Sequence, residues 1–363
     1  MTTATARPAG ASGAKPRVLV VDDSAVVRGL VARWIEADQR LELAATCADG
    51  EQGVKRAGEL QPDLVVLDIE MPRMDGLTAL PLLLKAAPKA RVVMASTLTR
   101  KGAEVTLRAL SLGAADYAPK PEAGRVAGAE AYRHELLQKL VALSPAARVP
   151  AQSRVVKAVP PTPAPRRYAV AARPELIAVG SSTGGPQALR TLVAALPRDA
   201  RAPVVIAQHM PKLFTAILAD HLAKAGLPAS EARHGETLRN GHVYLAPGDF
   251  HFTVKSGRDG FIAELDQSPP VNFCRPSVDP LFGSCANAAG RAVLAVILTG
   301  MGSDGREGAR KVREAGGQVI VQDEATSVVW GMPGAAAEAG LADMILPIHD
   351  IGAEVTRRLK GTA

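Results

Sequence analysis

The segment LIAVGSSTGGPQ, residues 176–187, predicts a buried strand that enters a glycine turn and continues into a helix. Pro186 suits the first turn of that helix, PQALRTLVAAL. Gly180, Ser182 and Gly184 have the G-x-S-x-G spacing of a nucleophile elbow, in which small residues allow a sharp turn that exposes a serine hydroxyl above the sheet. Such a turn also occurs as plain packing between strand and helix, so the segment alone leaves catalysis and packing both open.

The chain is long enough for two domains, because 363 residues exceed one ordinary hydrophobic core. Apolar residues make up 47% of it but aromatic residues only 3%, which favours α/β cores and disfavours nucleic-acid surfaces built on stacked rings. Three cysteines without a C-x-x-C pair indicate a reducing, cytoplasmic setting with no disulfide framework or zinc site. We expect no membrane insertion, since no apolar run is long enough for a span and the N-terminus lacks the apolar core of a secretory signal.

The net charge of +7 is concentrated outside the predicted domains. Nine Lys and Arg residues lie, without any acid, in 1–17 and 144–173, so the rest of the chain is slightly acidic and a nucleic-acid partner is not expected. The second of these segments is dense in proline, which favours an extended spacer. We therefore predict a disordered tail (1–15), a first domain (16–140), a Pro/Arg-rich linker (141–172) and a second domain (173–363).

Short apolar strands alternate with helical patterns throughout the first domain, which predicts a doubly wound parallel sheet of the flavodoxin-like type. Functional groups collect at the carboxyl ends of such strands, and the side chains found there are Asp22, Asp23, Asp68, Ser96 and Lys120. Three clustered carboxylates repel one another unless a hard cation lies among them, and an oxygen-rich site suits Mg²⁺. The alternative is that these acids are simply solvated.

This order of motifs, DD, LDIEMPRMDG, MAST and PK, resembles the response-regulator receiver domain. The resemblance implies phosphorylation of Asp68. It implies Mg²⁺ ligation by Asp22, Asp23, Asp68 and the backbone carbonyl of Glu70. It also implies that the switch works through Ser96, Tyr117 and Lys120.

Strands and helices alternate again after residue 176, so a Rossmann-like parallel sheet is expected, with hairpin-like strands around HVYLAPGDFHFTVKSGRDGFIAEL. His209 directly follows one apolar strand, and Asp304 follows another in the turn TGMGSDG. Both are therefore expected at the same sheet edge as Ser182. Taken singly, His209 is as well explained by capping or packing, and Asp304 by capping the helix DGREGARK. Together they supply the base and the acid that a serine nucleophile needs.

The sequence GSSTGG is not G-x-G-x-x-G and no acid ends the next strand, which disfavours dinucleotide binding. Six motifs resemble those of the chemotaxis response regulator protein-glutamate methylesterases: VGSSTGGPQAL, IAQHMP, GHVYLAPGD, PPVNFCRPSVDPLF, VILTGMGSDG and VVWGMP. The resemblance implies a triad of Ser182, His209 and Asp304, with oxyanion donors at the amides of Thr183 and Met301. In one departure, Ser181 stands where the family commonly has alanine.

The same resemblance implies hydrolysis of γ-methyl esters on glutamyl side chains of chemotaxis receptors, with release of methanol, and deamidation of selected glutamines by the same acyl chemistry. It implies no cofactor at the esterase site. A chemotaxis histidine kinase would phosphorylate Asp68 and so uncover an active site that the unphosphorylated receiver covers. The loop PPVNFCRPSVDPLF either lines the substrate groove, with Arg275 facing acidic receptor helices, or is a structural loop.

Two other classes of protein are alternatives to a methylesterase. A DNA-binding regulator needs a helix-turn-helix or a basic recognition helix, which the α/β pattern of the second domain does not offer. A non-catalytic phosphorylation switch keeps the fold and the partner surface but does not require all three triad residues.

Overall fold

The computed structural model describes residues 15–120, 126–144 and 173–361. The chain forms two compact units, which separate within the undescribed stretch 145–172. The predicted tail, except for its last residue, and most of the predicted linker lie outside the described residues. The domain boundary expected at residue 140 falls inside a helix that continues to Leu143.

The first unit is a five-stranded parallel sheet in the order β2-β1-β3-β4-β5. Its strands are β1 (Arg17–Val21), β2 (Glu42–Cys47), β3 (Leu64–Asp68), β4 (Arg91–Thr97) and β5 (Asp116–Lys120). Its helices are α1 (Ala25–Ala37), α2 (Gly50–Leu60), α3 (Gly76–Ala86), α4 (Arg100–Ser111) and α5 (Val126–Leu143). The flavodoxin-like sheet predicted from the sequence is confirmed.

Short polar residues determine where helices of this unit begin. Ser24, Asp49, Asp75 and Thr99 precede α1 to α4, and the side chain of each accepts a backbone N–H from the first turn of its helix. The central strand β3, LVVLD, is buried along its whole length, as expected for a parallel sheet with helices on both faces. Asp68 therefore emerges at the carboxyl edge of the sheet.

The second unit is built on a seven-stranded, all-parallel sheet in the order β14-β13-β12-β6-β7-β9-β8. Its strands are β6 (Leu176–Ser181), β7 (Val204–Gln208), β8 (Ala229–Glu231), β9 (Val243–Leu245), β12 (Val293–Ile297), β13 (Gln318–Gln322) and β14 (Met344–Leu346). Its helices are α6 (Gly185–Ala194), α7 (Lys212–Ala225), α8 (Val278–Ala289), α9 (Arg306–Glu314), α10 (Met332–Glu338) and α11 (Ile348–Lys360). The Rossmann-like parallel sheet is confirmed.

One sequence-based assignment in this unit is wrong. The segment HVYL was expected to belong to a hairpin, but β9 pairs in parallel with β7 and β8 in the main sheet. All three β9 residues are buried, because the strand is an interior member of the sheet. The antiparallel hairpin consists only of β10 (His251–Gly257) and β11 (Gly260–Asp266), and it joins the main core through apolar contacts that include Phe252 and Phe282.

The order of strands reverses beside β6, since the chain runs from β6 to β7 on one side and later returns to β12 on the other. In open α/β sheets the carboxyl edge at such a reversal is where ligands bind. Ser182 follows β6 there and Asp304 follows β12. Among the described residues, no helix is both long and apolar enough to cross a bilayer.

Candidate active site and acidic cluster

The turn after β6 places Ser182 at the carboxyl edge of the sheet. Its backbone N–H donates to Thr299 O over 3.1 Å, and its carbonyl accepts from Gly185 N–H over 2.8 Å. Gly184 has a left-handed φ of 77°, where a side chain is strained and where a Cβ would lie 2.6 Å from Val328. The turn is therefore as tight as the sequence predicted, and Ser182 is left half-buried at its tip.

The neighbouring Ser181 has a different role. Its side chain is fully buried, and its hydroxyl donates to Gln208 Oε1 over 2.6 Å. The amide of Gln208 in turn donates to the backbone carbonyls of Ser182 and His209, over 3.0 and 3.2 Å. Gln208 thus ties together the ends of β6 and β7, and Ser182 carries the serine hydroxyl that is partly accessible.

Strand pairing brings His209 beside Ser182. Ser181 and Gln208 are the last partners in the register of β6 and β7, so Ser182 and His209 each follow a paired strand end at the same edge of the sheet. His209 N–H also donates to Ser181 O over 3.1 Å. The imidazole is largely buried, and its Nε2 donates to Asp304 Oδ2 over 2.7 Å. Two of the three predicted triad residues are thus in direct contact.

Asp304 is held by an unusually complete set of donors. Its carboxylate accepts hydrogen bonds from Asn272 Nδ2 (2.8 Å), Ser277 Oγ (2.8 Å), Val278 N (2.7 Å), Asp279 N (3.1 Å) and Gly305 N (3.0 Å), besides the one from His209. Burial opposes its ionisation, but the hydrogen bond and charge of His209 and the other donors outweigh burial and hold the pKa of Asp304 well below its usual range.

The alternative function considered for Asp304, capping the helix DGREGARK, is not what the structure shows. That helix, α9, begins at Arg306 after Gly305 and has no side-chain cap. Asp304 instead accepts the first backbone N–H groups of α8, a helix that begins 26 residues before it. The carboxylate therefore fixes the start of α8 and the histidine at the same time.

The pKa of His209 reflects this partner. Burial disfavours the imidazolium, but the hydrogen bonds with Asp304 and Cys274 outweigh burial and raise the pKa of His209 to about 10. The second contact is at the other ring nitrogen, where Cys274 Sγ lies 3.4 Å from Nδ1. No hydrogen bond joins the Ser182 hydroxyl to this imidazole in the described part of the chain, so the third contact of the triad remains a prediction.

The two expected oxyanion donors lie close to Ser182. Thr183 follows it directly and is buried, and its carbonyl accepts from Thr299 Oγ1 over 2.9 Å. Met301 follows Gly300, at which a Cβ would lie only 2.9 Å from the Cβ of Ser182. The turn at Gly300 is fixed by two backbone hydrogen bonds, because the Gly300 carbonyl accepts the N–H groups of Gly331 and Met332. Both amides therefore remain candidates.

The loop before α8, residues 269–277, contains the residues that sequence reasoning missed. Asn272, Cys274 and Ser277 reach His209 or Asp304, whereas the sequence indicated only that the loop might line the groove. Arg275 donates two hydrogen bonds to Asp249, over 3.1 and 2.6 Å, and others to the carbonyls of Gln267 and Ser268. Arg275 anchors the loop. Its hydrogen bonds therefore favour the interpretation as a structural loop over one in which Arg275 faces a receptor helix.

The first unit gathers its predicted acids at one edge. Ligand oxygens of Asp22, Asp23 and Asp68 lie within 4.8 Å of one another. Lys120 Nζ lies 2.7 Å from Asp22 Oδ2 and 2.7 Å from Asp68 Oδ1. Burial raises the pKa of Asp68 to about 6, even though Lys120 lowers it. Three carboxylates so close form the oxygen donor set that Mg²⁺ prefers.

The other predicted switch residues lie in β4 and β5, and the fourth predicted metal ligand, Glu70, lies in the loop after β3. Ser96 is buried, and its hydroxyl accepts from Thr106 Oγ1 over 2.7 Å. The ring of Tyr117 is buried too, with Lys139 Nζ 4.8 Å from its centre. Glu70 is exposed two residues after Asp68. Ser96 and Tyr117 belong to the two strands that follow β3 in the sheet, and their role in a switch stays a prediction.

Comparison with known proteins gives the family. Residues 177–355 match the family model for the CheB methylesterase, and residues 18–127 match that for the response regulator receiver domain. A protein of Maricaulis maris named protein-glutamate methylesterase/protein-glutamine glutaminase is 56% identical over 384 residues, which cover 95% of this chain and 96% of that protein. The chain belongs to the protein-glutamate methylesterase family.

Other relatives in this family have the same extent. A Caulobacter vibrioides protein named protein-glutamate methylesterase/protein-glutamine glutaminase 2 is 51% identical and matches over 96% of this chain and 100% of its own length. The crystal structure of the Thermotoga maritima CheB methylesterase catalytic domain is 42% identical, with a TM-score of 0.50, and covers 51% of this chain and 99% of that one. The methylesterase likeness therefore spans the unit that carries Ser182, His209 and Asp304.

Proposed function

We propose that this chain hydrolyses γ-methyl esters of glutamyl side chains on chemotaxis receptors and that phosphorylation of Asp68 increases this activity. The observation that carries the proposal is the 2.7 Å bond from His209 Nε2 to the buried carboxylate of Asp304, beside a serine in a G-x-S-x-G turn. A histidine so paired is the base that a serine hydroxyl needs. The family supplies the substrate class.

In the proposed reaction, Ser182 Oγ attacks the ester carbonyl while His209 takes the hydroxyl proton. His209 then gives that proton to the departing methoxy group, which leaves as methanol. Water attacks the resulting acyl-enzyme, with His209 again accepting a proton, and releases the glutamate carboxylate. Asp304 stabilises the imidazolium at each stage. A glutamine side chain would react by the same steps with ammonia as the leaving group.

Charge that develops on the carbonyl oxygen requires donors on the opposite side of the substrate from the base. The Met301 and Thr183 amides are the candidates, because Thr183 follows Ser182 and Met301 follows Gly300, whose backbone lies against Ser182. The N-terminus of α6, which begins three residues after Ser182, adds a favourable dipole at the same place. Removing one such donor in other serine hydrolases costs about 10²- to 10³-fold in kcat.

Phosphorylation is assigned to the other edge site. Asp22, Asp23, Asp68 and the carbonyl of Glu70 would hold Mg²⁺, which when bound neutralises charge on the phosphoryl group. Lys120 is already within 2.7 Å of Asp68 and supplies a further positive charge. Ser96 and Tyr117 would then respond to the phosphoryl group. A chemotaxis histidine kinase is the proposed donor.

The proposal includes the domain plan. A receiver over 16–140 and a methylesterase domain over 173–363 would be joined by the Pro/Arg-rich linker 141–172, and the protein would act in the cytoplasm. Phosphorylation then biases an equilibrium between states of different esterase activity. The fold increase in esterase activity is then limited by how much more strongly the phosphoryl group stabilises the more active state than the less active one.

The test measures methanol released from membranes that contain methylated receptors, with and without acetyl phosphate as phosphoryl donor. Wild type is compared with Ser182→Ala and with Cys274→Ala. Loss of about 10⁶-fold is expected for Ser182→Ala, as for other serine nucleophiles. Cys274→Ala is expected to retain turnover, since in the proposed reaction the acyl group is carried by Ser182 and the sulfur only contacts His209.

The reverse result, turnover in Ser182→Ala and none in Cys274→Ala, would make Cys274 the nucleophile and overturn the proposed triad. Absence of methanol release from wild type, with Asp68 shown to be phosphorylated, would favour the non-catalytic switch instead.

A further inference from the structure

Phe273 is the most exposed large hydrophobic side chain among the described residues. Its relative exposure is 104%, against 72% for Val26, the next in order. An aromatic ring that packs against no described residue of its own unit forgoes the free energy that burial would provide. The fold of this domain therefore does not account for a phenyl ring at this position.

The backbone at Phe273 does not favour phenylalanine either. Val271 and Cys274 exchange backbone hydrogen bonds of 3.1 and 2.9 Å, which closes a tight turn over Asn272 and Phe273. Both central residues have left-handed φ values, 53° and 62°. Asparagine tolerates that conformation and glycine adopts it without penalty, but a bulky side chain is strained there.

The turn is nevertheless held firmly on both sides of the ring. Asn272 Nδ2 donates to Asp279 and to Asp304, each over 2.8 Å. Arg275, two residues after Phe273, is fixed to Asp249 and to two backbone carbonyls. Phe273 is thus presented to solvent from a rigid support rather than from a free loop end.

That support belongs to the proposed active site. The residue before Phe273 contacts Asp304, and the residue after it lies 3.4 Å from His209 through Cys274 Sγ. Consecutive Cα atoms are only 3.8 Å apart, so the ring projects from the rim of the site. A protein whose side chain reaches Ser182 and His209 brings its own surface against this rim.

We propose that Phe273 is a docking residue for the protein substrate, and this inference rests on the function proposed above. Its ring packs against an apolar side chain one helical turn from the methylated glutamate on the receptor helix, where neighbours at i+3 and i+4 lie about 5–6 Å apart. The binding energy comes from a part of the substrate remote from the ester, so it serves receptors and not small esters.

The experiment uses the full chain and two substrates, methylated receptor membranes and p-nitrophenyl acetate. Phe273→Gly, which removes the ring and suits the left-handed backbone, is expected to raise the KM for receptor at least about 10-fold, the loss expected for an aromatic anchor. Hydrolysis of p-nitrophenyl acetate should fall far less. Phe273→Tyr should restore most of the receptor KM, and Phe273→Gly should unfold at a temperature no lower than wild type.

The matched control is Ile345→Ala, which removes another exposed side chain, 51% accessible, on the edge strand β14. It should leave both activities unchanged. An unaltered receptor KM in Phe273→Gly would overturn the docking role while leaving the esterase intact. An equal loss on both substrates would also overturn it, since the residue would then act on the triad. No p-nitrophenyl acetate hydrolysis in wild type would instead count against the proposed function.

Discussion

Two aspartates, one in each unit, end up at the carboxyl edges of parallel sheets with opposite surroundings. Asp68 lies beside other carboxylates and one lysine, and its pKa is raised to about 6, with burial the largest cause. Asp304 faces one histidine and several N–H and O–H donors, and they hold its pKa low in spite of burial. Parallel-sheet topology brings both aspartates to equivalent positions at a sheet edge, while the neighbouring side chains determine whether the pKa of each is raised or lowered.

The two carboxylates also differ in whether their hydrogen-bond partners can be replaced by an incoming group. Asp68 is paired with Lys120, whose flexible four-carbon chain allows the ammonium group to adjust when a phosphoryl group or a cation arrives. Asp304 is bound by backbone amides and by short side chains that cannot move without disturbing α8. The first carboxylate suits a reacting group, and the second suits a fixed anion that orients a base.

The largest expected effect follows from removing the fixed charge. Asp304→Asn should lower esterase kcat about 10⁴-fold, because an amide neither stabilises the imidazolium nor enforces its tautomer. It should also lower the free energy of unfolding by about 1–3 kcal/mol, since the new NH₂ group faces backbone N–H donors. Methanol release and thermal unfolding would be measured on the same sample.

Asp279→Asn is the matched control for Asp304→Asn. Asp279 accepts from Gly308 N and Asn272 Nδ2 at the same helix terminus but does not contact His209. A comparable loss of stability with most of the activity retained is expected. Equal activity in the two variants would mean that the Asp304 charge has no part in catalysis.

The next effect is the pH dependence of the esterase. A histidine accepts a proton only when neutral, and the raised pKa of His209 makes the neutral fraction grow as pH increases above 6.5 toward about 10. We expect kcat/KM for p-nitrophenyl acetate to rise about 10-fold per pH unit over that range, with hydrolysis by Ser182→Ala subtracted. A plateau that begins below pH 6.5 would contradict the strong bond with Asp304.

A smaller effect is expected from the exchangeable carboxylate. Asp68→Asn should abolish stimulation by acetyl phosphate, a loss of about 5- to 150-fold if coupling between the sites has the usual size. Unstimulated methanol release should persist, because Asp68 belongs to the other unit. Asp75→Asn is the control, since asparagine caps α3 as well as aspartate does. If acetyl phosphate still stimulated Asp68→Asn, the phosphorylated residue would not be Asp68.

The smallest effect concerns the serine next to the proposed nucleophile. Ser181→Ala removes the bond to Gln208 and should cost about 1–3 kcal/mol of stability, because a buried acceptor loses its donor. Esterase activity should stay within about threefold of wild type, since the buried hydroxyl never reaches substrate. A loss comparable to that of Ser182→Ala would reverse the roles of the two serines.

The residues at the carboxyl ends of the strands could be predicted, because the end of an apolar run in the sequence marks the end of a strand. An apolar run that stops at Asp68 or Gln208 shows where the strand stops, and parallel pairing then brings successive ends to one edge. The acidic cluster and the pair His209 and Asp304 followed from this reasoning. The three-residue strand β9 did not, since so short a segment beside turn residues does not reveal its pairing partner.

Loop contacts could not be predicted. Asn272 and Ser277 lie 32 and 27 positions from Asp304 in a stretch without helical or strand periodicity. Their approach depends on the left-handed turn at 272–273 and on the start of α8, which tertiary packing determines. Cys274 likewise looked like an ordinary small apolar residue, because nothing in its local sequence indicates a contact with a histidine 65 positions away.

The anchoring of the loop between Asp249 and Asp304 has a consequence for how this enzyme can diversify. Arg275 and Asn272 hold the loop in place, while the Phe273 ring between them packs against no described residue of this unit. Substitutions at position 273 can therefore alter the binding of receptor while the fold and the chemistry at Ser182 are retained. Preference for one receptor over another can therefore change through a single codon, while the residues that hydrolyse the ester stay the same.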